Sequence, residues 1–160
     1  MPIKAMEDSA RRGTYDELYT PYEALKYLIP YLPNGIIWES APGTGALVRM
    51  LENRWFKVIS EDRDFFAWEP KKWDYMVTNP PFSLKARWLE RANFLGKPYA
   101  ILLPVTTLGS RNCQLQLTNC DILFLPRRID FTGKGAPWFS VAWYTKGLLP
   151  ERILFVNELH

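Results

Sequence analysis

Two consecutive prolines, Pro80 and Pro81, constrain this chain more than any other feature of its sequence. They follow the apolar run 73–78, which predicts a buried strand, and precede residues 83–95, which predict a helix. Neither proline has an N–H for a strand ladder, and the residue before a proline is held extended. The chain therefore leaves the sheet here as a stiff loop at the carboxyl end of a strand, where open α/β sheets bind their ligands.

The side chains on either side of the prolines indicate what kind of ligand this loop suits. Asn79 offers a carbonyl acceptor and an NH2 donor on a short stem, and Phe82 offers a flat apolar face. Together they suit a planar group that carries an exocyclic amine. A proline turn capped by an asparagine is the structural alternative for so short a motif. The rest of the chain has to decide between the two interpretations.

Apolar runs alternate with helical patterns along the whole chain. Of its 160 residues, 48% are hydrophobic, which favours one domain over residues 1–160 with a substantial core. Strands are predicted at 36–39, 55–60, 73–78, 99–103, 121–125, 140–145 and 153–156, and helices after Thr20 with Pro21 at the first helical position, from 46, at 83–95 and at 106–117. This alternation predicts an α/β fold with a mostly parallel sheet and helices on both faces.

A glycine turn links the predicted strand 36–39 to the helix that starts at Ala46. Gly43 and Gly45 let the backbone pass close to a ligand, as in the first half of a nucleotide-binding βαβ unit. The turn lacks the Lys-Ser/Thr ending of a phosphate-binding loop and the third glycine of the dinucleotide motif, which argues against ATP and NAD. Glu39, at the strand end, is a candidate ligand-binding acid; a helix cap or a surface acid is its alternative role.

Acids also follow the second predicted strand. Glu61 and Asp62 stand where a carboxylate can accept hydrogen bonds from both ribose hydroxyls, and the sequence does not show which one does so. Asp64 could accept the exocyclic amine of an adenine, with Phe65 against the ring. Packing in the core is the alternative for the phenylalanines, and for Phe66 it is the preferred one. The interval before Asp64 is too short for a helix.

The charge pattern permits a polyanionic partner. Net charge is +3 and the isoelectric point is about 8.9. Residues 127–139 form a basic, glycine-rich, aromatic stretch, which suits a nucleic-acid contact; a mobile loop with one tryptophan in the core is the alternative. The candidate nucleic-acid-binding residues are Lys85, Arg87, Arg111, Arg128, Lys134 and Trp138.

Other partners and cofactors find little support in the sequence. No run approaches the roughly 20 apolar residues of a membrane span, and the N-terminus has no apolar signal region, so we expect a cytoplasmic protein with a flexible segment at 1–13. Cys113 and Cys120 fit neither a zinc spacing nor a disulfide framework, and the single histidine is the last residue, His160. We therefore expect no metal.

In this order, the motifs resemble those of S-adenosylmethionine-dependent amino-methyltransferases, most closely the small adenine-N6 DNA methyltransferases of phages and prophages. The resemblance covers about residues 15–145. It implies a Rossmann-like class I methyltransferase fold, here reduced by one helix after the second strand and without a domain for reading a DNA sequence. It also implies S-adenosylmethionine as the cofactor and a bacterial host cell as the location, with the gene carried by a phage or prophage.

The resemblance assigns roles to each motif. Thr20 and Pro21 look like the segment that helps to hold the methionine part, and the loop with Glu39, Ala41, Gly43 and Gly45 resembles the cofactor loop. Glu61 or Asp62 matches the ribose acid, and 64–66 matches the segment at the cofactor's adenine. Asn79, Pro80, Pro81 and Phe82 resemble the catalytic motif, and 128–137 resembles the stretch that packs against a flipped base.

The function that these roles imply is methylation of the N6 amine of adenine in DNA, duplex or single-stranded, by a monomer or a homodimer. Methylation of an RNA base or of a protein glutamine amide is an alternative, since the Asn-Pro-Pro motif serves those reactions too. A protein that binds S-adenosylmethionine or nucleic acid without turnover is a further alternative. A cofactor-degrading anti-restriction protein would not need the loop 79–82.

Overall fold

A seven-stranded sheet forms the centre of the computed structural model, which describes residues 20–158. The strands run in the spatial order β2-β1-β3-β4-β6-β5-β7. Within the described residues, β6 alone runs antiparallel to its neighbours. The strands are β1 (Ile36–Trp38), β2 (Lys57–Ile59), β3 (Tyr75–Thr78), β4 (Tyr99–Pro104), β5 (Asp121–Phe124), β6 (Val141–Lys146) and β7 (Ile153–Phe155).

Helices cover both faces of this sheet, because successive strand residues point to opposite sides. Ile37 and Val77 face one core, where α1 and α2 pack, while Trp38 and Met76 face a second core, where α3 and the segment around α4 pack. The helices are α1 (Tyr22–Leu25), α2 (Ala46–Glu52), α3 (Lys85–Leu95) and α4 (Gln114–Leu117), with 3-10 turns at Ile29–Tyr31, Phe82–Leu84 and Val105–Gly109. The predicted mostly parallel α/β architecture is confirmed.

Strand register brings the predicted motifs together at the carboxyl ends of three neighbouring strands. Trp38 pairs with Ile59 on one side and with Met76 on the other, so β1, β2 and β3 end at nearly the same level. The residues that follow these strands are Glu39, Ser60 and Asn79. The glycine turn, the acids after β2 and the proline loop therefore meet at the carboxyl ends of these strands.

Most predicted elements shift by one or two residues at an end, and three differ for a local structural reason. Pro21 is the N-cap of α1 rather than its first residue, so Thr20 precedes the cap instead of forming it. The strand predicted at 55–60 starts only at Lys57, because Trp55 adopts a φ of +69° and closes α2 by donating its amide to the Glu52 carbonyl. The helix predicted at 106–117 breaks after Gly109, where Ser110 is extended.

Residues 60–74 contain no helix and no strand, which confirms the predicted loss of a helix after β2. Aromatic side chains fill the space instead. Phe65, Trp68 and Trp73 surround Trp38 with ring centroids 5.4, 6.0 and 5.0 Å away, respectively. These large rings bury enough apolar surface to cover this part of the sheet without a helix.

Several sequence-based expectations concern absences or chain ends. Between residues 20 and 158, no helix is long and apolar enough to cross a membrane. No group of three or more His, Cys, Asp or Glu side chains in that range could hold a metal ion. Cys113 and Cys120 are buried free thiols. The segment 1–13 and His160 lie outside the described residues.

Candidate functional site

A cavity of about 480 Å³ opens at the edge where β1, β2 and β3 end. This volume lies within the usual range of small-molecule sites. Most of its lining comes from the residues that follow these strands: 39–44, Ala46 and Leu47 after β1, Asp62 and Arg63 after β2, and Asn79 and Pro81 after β3. Thr20, before α1, and Trp88, in α3, complete it. The cavity therefore joins the predicted cofactor loop to the predicted catalytic loop.

The glycine turn is held in shape by its own backbone. The Gly45 amide donates to the Pro42 carbonyl at 2.7 Å, and the Arg49 guanidinium donates to the Thr44 carbonyl at 2.9 Å. Gly43 lines the cavity with a φ of +51°, and a Cβ placed there meets no other atom within 4 Å. Gly45 lies outside the lining, where its φ of +82° starts α2. One glycine thus borders the ligand space and the other makes the turn possible.

Glu39 ties the glycine turn to β3. Its Oε1 accepts the Ala41 amide at 2.8 Å and the Thr78 hydroxyl at 2.5 Å, and the side chain is buried while lining the cavity. Burial raises the pKa of Glu39 to about 7, although both hydrogen bonds favour the carboxylate and act in the opposite direction. Because both bonds go to Oε1, Oε2 is left for a ligand. Glu39 is therefore neither a surface acid nor a helix cap.

The structure separates the two acids that follow β2. Asp62 lines the cavity, whereas Glu61 accepts a hydrogen bond from the Arg63 guanidinium at 2.7 Å on the surface. Asp62 is therefore the better placed of the two to bind a ligand.

The next segment differs from expectation. Asp64 lies outside the cavity lining and accepts the Phe66 amide at 2.9 Å. Phe65 is a core residue stacked on Trp88, with ring centroids 4.4 Å apart, so it offers no free face to an adenine. Phe66 is half-buried and packs against the second core, as the preferred interpretation expected, and Phe65 is the more deeply buried of the two rings. Their adjacent positions gave no way to tell which ring points inward.

The proline loop presents two sides. Asn79 and Pro81 line the cavity, while Pro80 is buried. Phe82 lies outside the lining and meets the rings of Phe131 and Phe139 edge-on, with centroids 6.5 and 6.0 Å away. One side of the loop therefore faces the cavity, and the other contacts the loop between β5 and β6.

That loop, residues 125–140, is held together by one carboxylate. Asp130 accepts the amides of Thr132 and Gly133 on Oδ1 at 2.9 Å each and the amide of Gly135 on Oδ2 at 3.0 Å. These hydrogen bonds, with that from Gly135 the largest, lower the pKa of Asp130. The alternative of a mobile loop with a buried tryptophan is wrong on its second point, since Trp138 is 77% exposed.

The candidate nucleic-acid-binding residues all lie outside the cavity. Lys85 is half-buried, and the Arg87 guanidinium lies 4.2 Å from the centroid of the Phe66 ring. Arg128 donates to the Pro137 carbonyl at 3.2 Å. Arg111 and Lys134 are exposed. Pro21 also lies outside the lining, next to Thr20, which is buried in it.

Four cavity residues escaped the sequence analysis: Ala46 and Leu47 at the start of α2, Arg63 and Trp88. Arg63 directly follows the candidate ribose acid, and Trp88 stands in the first turn of the helix that follows the proline loop. A tryptophan in an amphipathic helix predicts core packing, and Trp88 does pack on Phe65. Its position in the first turn of the helix that follows the loop 79–82 was the available signal.

No protein-family model matches the chain, and no curated protein matches it in sequence. Among solved structures it is similar to a dimethyladenosine transferase from Plasmodium falciparum, with a TM-score of 0.51 and 13% identity over 80% of this chain and 62% of that one. A predicted O-methyltransferase from Agrobacterium tumefaciens also matches, with a TM-score of 0.40 and 14% identity over 77% of this chain and 65% of that one. The chain thus spans less than two thirds of either neighbour. The first similarity identifies the fold as the Rossmann-like class I methyltransferase fold, as expected.

Proposed function

We propose that the chain transfers a methyl group from S-adenosylmethionine to the exocyclic N6 amine of adenine in DNA. One observation carries this proposal: Asn79 and Pro81 line the same cavity as the glycine turn and Asp62. A methyl donor held by the turn and the acid would therefore meet an amine held by the proline loop. The methyltransferase fold supports methyl transfer in general.

The lining residues suit S-adenosylmethionine. Glu39 and Asp62 supply carboxylate oxygens for an ammonium group or for ribose hydroxyls. Gly43 leaves the space beside the turn open. When bound, S-adenosylmethionine supplies an electrophilic methyl group on a sulfonium ion. Glu39, Asp62 and the backbone around Gly43 are the residues that would hold it.

The proline loop would prepare the amine for attack. The exocyclic nitrogen of adenine is a poor nucleophile because its lone pair is conjugated with the ring. If the Asn79 side-chain oxygen and the Pro80 carbonyl each accept one N–H, the nitrogen moves toward tetrahedral geometry and its lone pair becomes available. Such catalysis rests on positioning and on fixed dipoles rather than on a strong base.

The outer side of the loop would receive the base. Phe82 is half-buried beside Phe131 and Phe139, and the exposed Trp138 ring lies edge-on to Phe139, with centroids 5.4 Å apart. An adenine in a duplex has to leave the stack to reach a pocket of this kind. Lys134 and the exposed Arg111 would contact phosphates, so binding should weaken as salt concentration rises.

An adenine of RNA is the second candidate acceptor. The similar structure from Plasmodium falciparum is named a dimethyladenosine transferase, which favours a nucleic-acid adenine as the acceptor without favouring DNA over RNA. The proposed roles of Asn79 and Pro80 depend only on the amine and hold for either polymer. The polymer has to be identified by experiment.

The test uses purified protein, tritium-labelled S-adenosylmethionine and three acceptors in parallel: unmethylated duplex DNA, single-stranded DNA and total RNA. Label recovered as N6-methyldeoxyadenosine after digestion would support the proposal, and the preferred DNA form would show whether base flipping is required. Label recovered only as methyladenosine from RNA would establish the second candidate. No label in any nucleic acid would overturn both.

A further inference from the structure

Strand β7 ends the sheet at an edge where its backbone has no further partner among residues 20–158. It is last in the strand order and pairs with β5 alone. The Arg152 carbonyl and the Val156 amide both form hydrogen bonds with β5. Since backbone groups alternate in direction along a strand, those of Ile153 and Phe155 point away from β5. Such an edge is a template for pairing with another strand.

The side chains at this edge are apolar and exposed. Ile153 is 56% exposed and Phe155 is 69% exposed, and as alternate strand residues they share one face of the sheet. The Phe155 ring stacks on Phe124, with centroids 4.8 Å apart and an angle of 12° between the planes. The stacking holds the Phe155 ring in place at the surface, where a partner can meet it without first ordering it.

The opposite edge of the sheet differs in the feature that prevents pairing. Strand β2 stands first in the strand order and carries the exposed Lys57. A charged side chain on an edge strand, lysine above all, opposes the approach of another strand. Residues 153–155 contain neither a charged residue nor a proline. One edge is therefore protected against pairing, and the other is suited to it.

We infer that β7 pairs in antiparallel orientation with β7 of a second copy of this chain, which joins the two sheets into one. The strand can be its own partner, because a two-fold axis perpendicular to the sheet presents the same edge in the reverse direction. The pairing would supply backbone hydrogen bonds to Ile153 and Phe155. This inference goes beyond the proposed function and does not depend on it, since no residue of β7 lines the cavity.

The charges beside β7 favour a second copy as the partner and indicate the register. When the antiparallel pair is centred on Phe155, Arg152 lies opposite Glu158 of the second copy, and the two-fold axis repeats this contact. The Arg152 side chain is 68% exposed, although it lies 3.6 Å from the Asp121 carboxylate. The Glu158 side chain is 40% exposed, although it lies 3.9 Å from the Arg127 guanidinium. Opposite charges that face each other across antiparallel strands stabilise the pair.

Sedimentation equilibrium of the full chain, between about 1 μM and 1 mM, is the first test, because pairing at one edge buries a small area and gives weak association. The mean mass of wild-type protein should rise from 18.7 kDa toward twice that value. Phe155→Lys sets two ammonium groups opposite each other and should weaken association by about tenfold or more. Phe94→Lys is the matched control, since Phe94 is 80% exposed but lies in α3, and it should associate as wild type does.

A charge exchange tests the register. Arg152→Glu and Glu158→Arg each set like charges opposite each other at two places, so each variant alone should associate about tenfold more weakly than wild type. An equimolar mixture of the two variants should form a mixed dimer with the affinity of wild type, since both facing pairs are then opposite in sign. A defect in folding cannot produce this rescue, because each chain carries the same substitution alone and in the mixture.

The outcomes decide the inference without bearing on methyl transfer. Wild-type protein that stays at 18.7 kDa throughout would overturn it, and this result needs no variant to fold. Association that Phe155→Lys leaves unchanged, or that Phe94→Lys weakens equally, would overturn it as well, because the contact would then lie elsewhere. A mixture of the two charge variants that associates as weakly as its components would overturn the pairing centred on Phe155.

Discussion

The two sides of the loop 79–82 face chemical groups of different kinds. Toward the cavity, the neighbours of Asn79 are strand ends and a glycine turn, and the charged groups are the carboxylates of Glu39 and Asp62 next to Arg63. Toward the outside, Phe82 meets two phenylalanines in the loop between β5 and β6. The exposed side chains of that loop include the basic Lys134 and the aromatic Trp138, beside the Asp130 carboxylate, whose oxygens accept backbone amides.

This difference indicates that the two sides of the loop bind two different ligands. The cavity side is concave and carries the carboxyl groups of Glu39 and Asp62 beside the Arg63 guanidinium, which suits one small ligand with charged and hydroxyl groups. The outer side is open, basic and aromatic, which suits a polyanion whose bases can stack. Each side can therefore be altered while the other continues to bind its ligand, and a change in the Asn79 side chain should act on the chemistry that joins them.

The largest effect is expected at Asn79, where the two sides meet. Asn79→Ala should keep cofactor affinity and lower kcat by about a hundredfold to a thousandfold, the usual loss for one removed transition-state hydrogen-bonding group. Single-turnover transfer of labelled methyl groups measures the rate, and calorimetry measures cofactor binding. Asn34→Ala, at an exposed asparagine before β1, is the matched control. Activity of Asn79→Ala equal to that of the control would remove Asn79 from the catalytic site.

The next largest effect is expected on cofactor binding, on the cavity side of the loop. Gly43→Leu places a side chain beside the ligand space at a positive φ, so cofactor binding should fall by about a hundredfold or more because ligand and side chain compete for volume. Gly133→Leu is a matched change, since Gly133 also has a positive φ and an open Cβ position, but in the outer loop. It should leave cofactor affinity unchanged. Equal losses in both variants would mean that backbone strain, not the cavity, is responsible.

The sequence predicted those parts of the site that depend on local rules. Pro80 and Pro81 fix the exit from β3, and Gly43 marks the turn after β1, whatever packs around them. Parallel strands then bring both loops to one edge. The sequence could not choose between Glu61 and Asp62, because that choice depends on the ion pair of Glu61 with Arg63.

Aromatic residues were the least predictable part. Phe65 was expected at a ligand and lies in the core, whereas Trp88 has the pattern of a core residue and borders the cavity. Hydrophobic periodicity shows which residues turn inward, but it does not show where the interior contains a cavity. That difference arises from how 60–74 replaces a helix, which is a matter of tertiary packing.

The two sides should also respond to pH in opposite directions. The pKa of Glu39 is raised from 4.5 to about 7 by burial, so the folded protein keeps a proton that the unfolded chain has already released. The free energy of unfolding should therefore fall as pH rises from about 4.5 to about 7, by about 3 kcal/mol, and then level off. Urea unfolding of wild type and Glu39→Gln between these values measures the difference. Parallel profiles would contradict the raised pKa.

Asp130 is the counterpart on the outer side. Its pKa is lowered by backbone hydrogen bonds, so its contribution to stability is present above its ordinary pKa and is lost as pH falls through the lowered value. Asp130→Asn should therefore reduce stability at neutral pH and make little difference in acid. This is the reverse of the expectation for Glu39→Gln, which should raise stability at neutral pH.

The smallest effect is expected on the outer side, at Trp138. Trp138→Ala should raise the KM for the nucleic-acid acceptor by about tenfold, since stacking of one base on an aromatic side chain contributes about 1–3 kcal/mol, and it should leave cofactor affinity unchanged. Trp55→Ala is the matched control. Trp55 is even more exposed, at 96%, but it precedes β2, at the end of the strands opposite to the cavity. Steady-state kinetics with varied acceptor concentration measures both. If the two variants raise KM equally, exposed tryptophans bind the acceptor wherever they lie. If only Trp138→Ala raises KM, the acceptor binds on the outer side of Asn79, as expected if the two sides bind different ligands.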